Sequence, residues 1–248
     1  MTNLKRHLDL AGADNIRDLG GYTTAAGRQT RWQVLLRADS LHQLTPNDQR
    51  QLLDLGLRTV IDLRRNRELA ATPDVFAAST ALRYLHIDMI GTPDPEGYPP
   101  PGEGAPMVGG SYCVLLDRRR EAIRQVLATL AAPGTLPALF HCAGGADRTG
   151  IIAALVLALA GVPQEVIVED YALTARYLTA AYCREQERAG KDMSGYTWKD
   201  YQRENCPPQA MEMALQHLRA CYGGVREYVD AIGVRAKEVD HLRASMLD

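Results

Sequence analysis

The chain has 248 residues, 46% hydrophobic and 23% charged, with a formal net charge of -2. These values suit one large soluble domain or two small ones, and they exclude a strong overall pull toward nucleic acid or an anionic membrane. The five cysteines, Cys113, Cys142, Cys183, Cys206 and Cys221, form no CxxC pair, which argues against a disulfide framework or structural zinc and for a reducing compartment.

In chain order, Met1 to His7 is basic, but Asp9, Asp14 and Arg17 interrupt any apolar run after it. No secretory signal is read there, so the expected location is cytoplasmic, or exported without a cleavable N-terminal signal. Residues 15–22 are turn-rich, and Val34 to Arg37 is a short strand candidate. Thr45-Pro46-Asn47-Asp48 is a helix start, with Thr45 at the N-cap, and that helix ends at Gly56. Thr59 to Leu63 and Leu82 to Asp88 read as strands. Prolines and glycines from Gly91 to Gly110 predict a long mobile loop, and a helix is expected over 111–131. Residues 136–141 read as a buried strand and the apolar run Ile151 to Ala160 as a buried helix, with a further helix through Tyr171. The polar segment 180–206 reads as a loop or helical flap, and helices follow over 210–222, 225–232 and 236–246. The pattern predicts a single α/β domain over 1–248, with a central, mostly parallel sheet flanked by helices and a helical C-terminal third. The longest apolar stretch is too short to span a bilayer, so no stable membrane insertion is expected.

The segment His141-Cys142-Ala143-Gly144-Gly145-Ala146-Asp147-Arg148-Thr149-Gly150 lies between the buried strand and the buried helix. Such a strand–loop–helix junction binds anions, because backbone N–H groups and the positive helix end face into the loop. The same field favours a thiolate at Cys142, and Arg148 adds a planar fork for two phosphate oxygens. In related sheets the ligand sits at the carboxyl ends of the strands, where Cys142 falls.

The fixed positions His141, Cys142, Gly145, Arg148, Thr149 and Gly150 match the signature of the cysteine-dependent phosphatases, and the chain resembles the protein tyrosine phosphatase superfamily. The stretches 15–22, 36–41 and 60–64 with Glu68, together with Tyr222 to Tyr228, resemble its atypical bacterial branch, which acts on phosphotyrosine and, in several members, phosphoinositides. The resemblance implies a protein tyrosine phosphatase-like fold with no cofactor and no metal. The expected substrate is a phosphorylated protein, a small phosphomonoester or a phosphoinositide. A monomer is the default, with no nucleic-acid partner.

The roles that follow from the chemistry agree with the resemblance. Cys142 attacks phosphorus and forms a cysteinyl-phosphate. Arg148 neutralises charge on the equatorial oxygens, helped by the backbone N–H groups of Ala143, Gly144, Gly145, Ala146, Asp147 and Arg148 itself. Thr149 is expected to donate its hydroxyl to the Cys142 sulfur, and His141 to order the loop. Two residues are candidates for the general acid: Asp147, which the bacterial branch uses at this position, and Asp62, at the end of a neighbouring strand. Asp147 is the favoured reading. Ala146 departs from the branch, which has Lys there for additional phosphates on inositol lipids.

Plainer readings hold for other residues. Arg17 and Asp18 are expected to form a structural ion pair, and Asp117 to Glu121 a solvated helix face. Tyrosines 171, 177, 182, 196 and 201 are expected to pack in the core. Two further functions compete: a catalytically weak phospho-ligand-binding module, and a sulfur-transfer or arsenate-reducing enzyme with Cys113 as resolving thiol.

Overall fold

The structure is a computed structural model and describes residues 5–98 and 102–248. Its elements are β1 (Arg17–Asp18), β2 (Leu35–Ala38), α1 (Pro46–Asp54), β3 (Thr59–Asp62), α2 (Asn66–Ala71) and β4 (Arg83–His86). Next come α3 (Ala105–Arg118), α4 (Arg120–Ala131), β5 (Ala138–His141), α5 (Asp147–Ala160), α6 (Gln164–Ala172) and α7 (Thr174–Arg188). Last are α8 (Trp198–Asn205), α9 (Pro208–Tyr222), α10 (Val225–Ala231) and α11 (Ala236–Met246).

The strands form one sheet in the order β1-β2-β5-β3-β4, parallel except for β1, as the sequence predicts. β5 is the central strand, with Leu139 between Leu36 and Val60 and Phe140 between Arg37 and Ile61. Both its faces are covered, which explains its unbroken apolar run. Ala138 and Phe140 join a large cluster with α3, α4, α5 and α9, while Leu139 joins a smaller one with α1 and Phe76. α5 is buried along nearly its whole length and packs against α4, α6, α10 and α11. Among the described residues, no helix is long and apolar enough to cross a membrane.

Two expectations are corrected, and the reading of 180–206 resolves to its helical alternative. The loop predicted over 91–110 gives way to helix at Ala105; its residues 99–101 lie outside the described residues. Gly109 is a close-packing position and not a loop signal: a Cβ there would lie 2.8 Å from Met213 Sδ and 3.2 Å from Ala210 Cα. The helix expected over 111–131 breaks at Arg119 (φ -113°, ψ 30°), whose Nη2 donates to Asp88 O at 2.9 Å. The segment 180–206 is largely helical, in α7 and α8. Thr197 and Asp200 form the capping box of α8, and Tyr182 packs on Tyr196 and Tyr201 at 5.6 and 5.2 Å between ring centres.

Candidate active site

The segment between Cys142 and Arg148 links the carboxyl end of β5 to the first turn of α5. Its carbonyls are tied to the scaffold. Leu63 N–H donates to His141 O at 2.8 Å and Ser40 N–H to Ala143 O at 2.9 Å. Asn15 Nδ2 donates to Gly144 O at 2.9 Å and Arg37 Nη2 to Gly145 O at 2.7 Å. In a trans peptide the next N–H points opposite its carbonyl, so the amides of Gly144, Gly145 and Ala146 are turned away from the scaffold. Among the described residues, no N–H from Ala143 to Arg148 donates to a protein acceptor. Together with the N-terminus of α5, this makes a cradle that can hold an anion. Gly145 is required by the turn: its φ is +65°, and a Cβ there would lie 2.5 Å from Ala38 O.

Beneath the cradle lies a buried ionic network. Arg37 Nη1 meets Asp170 Oδ2 at 2.5 Å, and Arg17 Nε lies 3.5 Å from Asp170 Oδ1. Arg17 Nη2 donates to Asp170 O at 3.0 Å, and Tyr22 OH donates to Asp170 Oδ1 at 2.8 Å. Arg17 therefore pairs with Asp170 and not with Asp18, whose carboxylate accepts from the amides of Gly20 and Gln33 instead. Burial alone would raise the Asp170 carboxyl, but the guanidiniums of Arg37 and Arg17 outweigh it and hold it at about 2. Two guanidiniums against one carboxylate leave net positive charge under the site.

Arg148 is gripped from the side by Glu68 of α2, at 2.5 Å and 3.0 Å, with a long contact to Leu63 O at 3.5 Å. Glu68 also accepts the Arg65 N–H at 2.7 Å, so one carboxylate caps α2 and orients Arg148. Burial opposes ionisation of Glu68, and Arg148 overcomes it, lowering its pKa. The sequence marked Glu68 without a role; its spacing from Arg64 was the available signal.

Asp62 lies in a second buried cluster. Arg64 Nε contacts both its oxygens at 3.0 Å, Arg64 Nη2 reaches Oδ2 at 2.6 Å, and Tyr84 OH donates to Oδ2 at 2.9 Å. Burial would raise this carboxyl; Arg64, together with His141, brings it to about 2. Asp62 is 0% exposed. The reading of Asp62 as general acid fails on this geometry, because a fully paired, buried carboxylate has no proton to give a substrate. His141 is also fully buried. Its Nδ1 lies 3.3 Å from Cys142 O, and its Nε2 lies 3.1 Å from Asp74 Oδ2 without hydrogen-bond alignment. The ligand atoms of Asp62, Asp74 and His141 fall within metal-chelating distance. Arg64 Nη2, 4.0 Å from Asp74 Oδ2, already supplies this cluster's cation, so it fits a metal ion poorly.

Asp147 lines a cavity of about 390 Å³ together with Gly144, Ala146, Tyr98, Met107 and Tyr201. Tyr112 OH donates to Asp147 Oδ1 at 2.6 Å and lies 2.7 Å from Tyr171 OH. Tyr112 was missed in the sequence, since a tyrosine on an apolar helix face carries no chemical signal. Cys142 is 1% exposed at the base of the cradle. The hydrogen bond expected from Thr149 to its sulfur is not formed: the Thr149 hydroxyl is buried without a partner. Cys113 sits on α3, where burial, and then the charges of Asp117 and Cys221, raise its pKa. The run 117–121 is the solvated face expected, with Arg118, Arg120 and Glu121 exposed and Arg119 tied to Asp88 O.

A model of the family described as "Tyrosine phosphatase family" matches residues 8–248. The chain is 33% identical over 217 residues to a tyrosine-protein phosphatase of Nostoc commune, covering 86% of this chain and 74% of that one. It is 30% identical over 193 residues to the triple specificity protein phosphatase PtpB of Mycobacterium tuberculosis, covering 66% and 67%. Among solved structures it is similar to P. aeruginosa TpbA, with a TM-score of 0.36 and 18% identity, over 73% of this chain and 97% of that one.

Proposed function

We propose that this chain, which belongs to the tyrosine phosphatase family, hydrolyses phosphotyrosine in proteins through a cysteinyl-phosphate. The single observation carrying this is the cradle: loop carbonyls tied back, loop amides free, and Arg148 held at its end. Cys142 attacks phosphorus as a thiolate; the S–P bond forms and the bond to the leaving oxygen breaks. Asp147 gives that oxygen its proton. In the second step Asp147 takes a proton from water, the water oxygen bonds to phosphorus, and the S–P bond breaks to release inorganic phosphate and the thiolate. A guanidinium has five N–H donors. Glu68 and Leu63 occupy three, which leaves two for the equatorial oxygens.

Ala146, 7% exposed, puts a methyl in the cavity lining where the resemblance implies Lys, which supports phosphotyrosine over phosphoinositide as the substrate. Residues 1–248 act as one domain, a reading supported by the large core cluster running from Leu19 to Leu247. We take the enzyme to be a monomer, and five free cysteines are in keeping with a reducing compartment.

The test is hydrolysis of a phosphotyrosine peptide by purified protein in the presence of a metal chelator, with Cys142→Ser as control. Turnover is expected in the native protein and none in the variant; undiminished turnover in Cys142→Ser overturns the reading. A parallel assay of phosphoserine and phosphoinositide substrates ranks the alternatives.

A further inference from the structure

We propose that Tyr112 is a positioning residue for the general acid, and that the Tyr171–Tyr112–Asp147 chain decides which oxygen of Asp147 carries the catalytic proton. This rests on the reading of Asp147 as acid.

Tyr112 is 0% exposed on α3, and Tyr171 is 1% exposed on α6. Both phenols lie in the core, where a hydroxyl needs a partner. With Asp147 ionised, the proton count leaves one arrangement. Tyr112 has a single hydrogen, and it goes to Asp147 Oδ1 at 2.6 Å. The contact between the two phenol oxygens, 2.7 Å, must then be donated by Tyr171. Burial and the neighbouring carboxylate of Asp147 push the Tyr112 phenol well above its ordinary value, so it stays a donor throughout the working pH range.

The consequence for Asp147 is an asymmetric carboxyl. Oδ1 is held from inside the protein by a neutral donor, and a proton on it would require the whole chain to reverse, with Asp147 donating to Tyr112 and Tyr112 to Tyr171. A proton on Oδ2 leaves the chain in place and faces the leaving oxygen, so we assign it there. When Oδ2 gives its proton to the leaving oxygen, the negative charge left on the carboxylate is met by an O–H already in place. The same bond holds the carboxylate for its turn as base toward water. Tyr112 touches neither substrate nor Cys142 in this scheme; it acts through Asp147. The rings meet edge to face at 5.9 Å between centres, and a Cβ at Gly150 would lie 3.1 Å from the Tyr171 ring, so the chain is braced against the first turn of α5.

The experiment compares the native protein with Tyr112→Phe, Tyr171→Phe and Asp147→Asn on phenyl phosphate and dinitrophenyl phosphate. Dinitrophenolate leaves without protonation; phenolate does not. Asp147→Asn is expected to lose far more kcat/KM on phenyl phosphate than on dinitrophenyl phosphate. Tyr112→Phe is expected to lose about tenfold to a hundredfold on phenyl phosphate and little on dinitrophenyl phosphate, with KM nearly unchanged. The descending limb of its kcat/KM–pH profile is expected to move up by about one pH unit, since a donor to the charged form of the acid is gone. Tyr171→Phe, which keeps the donor to Asp147, is expected to shift the limb the same way by less, and it serves if Tyr112→Phe folds poorly. Equal losses on both esters with an unmoved limb in the tyrosine variants, beside a steep dependence in Asp147→Asn, overturn the positioning role alone. A flat dependence in Asp147→Asn overturns the acid reading and this inference with it.

Discussion

Replacing Asp170 by Asn should destabilise the protein and loosen the cradle together. Asp170 is the only carboxylate in contact with Arg17 and Arg37 among the described residues, and all three side chains are at most 1% exposed. Removing it leaves two guanidiniums in the core with no counter-charge, a change of about 3–5 kcal/mol. The native carboxyl gives an independent scale. It sits at about 2 against an ordinary 3.8, a depression worth about 2 kcal/mol. Because the folded value is the lower one, this stabilisation is complete above about pH 4 and is lost as pH falls toward 2. For a chain of this length a loss of 3–5 kcal/mol lowers Tm by about 6–20 °C. Thermal unfolding at pH 7 reads the first number. Repeating it between pH 5 and pH 2 should show the gap between native protein and variant narrowing. Arg37 also donates to Gly145 O at 2.7 Å, so KM for a phosphopeptide should rise in the folded variant. A Tm within about 2 °C of native at pH 7, or a gap that does not narrow in acid, would refute the argument that this network carries uncompensated charge.

Three further outcomes follow from the geometry. Gly145→Ala puts a Cβ 2.5 Å from Ala38 O at φ +65°, and kcat/KM should fall at least about a hundredfold; native-like kinetics would mean the loop is not held as described. Glu68→Gln removes the charge that grips Arg148 while keeping its size, and KM should rise about tenfold with little change in fold, checked by steady-state kinetics beside circular dichroism. Gly109→Ala presses on Met213 and Ala210 at the α3–α9 contact, and should cost about 1–3 kcal/mol in denaturant unfolding while leaving the turnover of folded protein unaltered.

The strand–loop–helix junction at 138–150 was legible because its signals are local. A doubly covered strand is apolar without alternation, a buried helix is apolar all round, and the anion loop between them needs a small set of residue types at fixed spacing. The same holds for α1, whose Thr45–Asp48 capping box lies within four residues of chain. Apart from the Thr149–Cys142 bond, the readings that failed depended on what a residue meets across the fold. Gly109 reads as a loop residue until α9 is seen against it. Asp62 and Asp147 are both carboxylates at the same end of the sheet, and sequence offers no reason why one is sealed by Arg64 and Tyr84 while the other opens on the cavity. Arg17 has an acidic neighbour in Asp18, yet pairs with Asp170, far along the chain.

Sequence alone determined the chemistry on offer: a thiol, a guanidinium and a run of free amides at a helix start, since these follow from residue identity and from the backbone geometry of a short segment. Only the tertiary structure decided how that chemistry is directed. Charge and hydrogen bonding act through distance in space, and it is folding that brings Glu68 to Arg148, Arg37 and Asn15 to the loop carbonyls, and Tyr112 to Asp147.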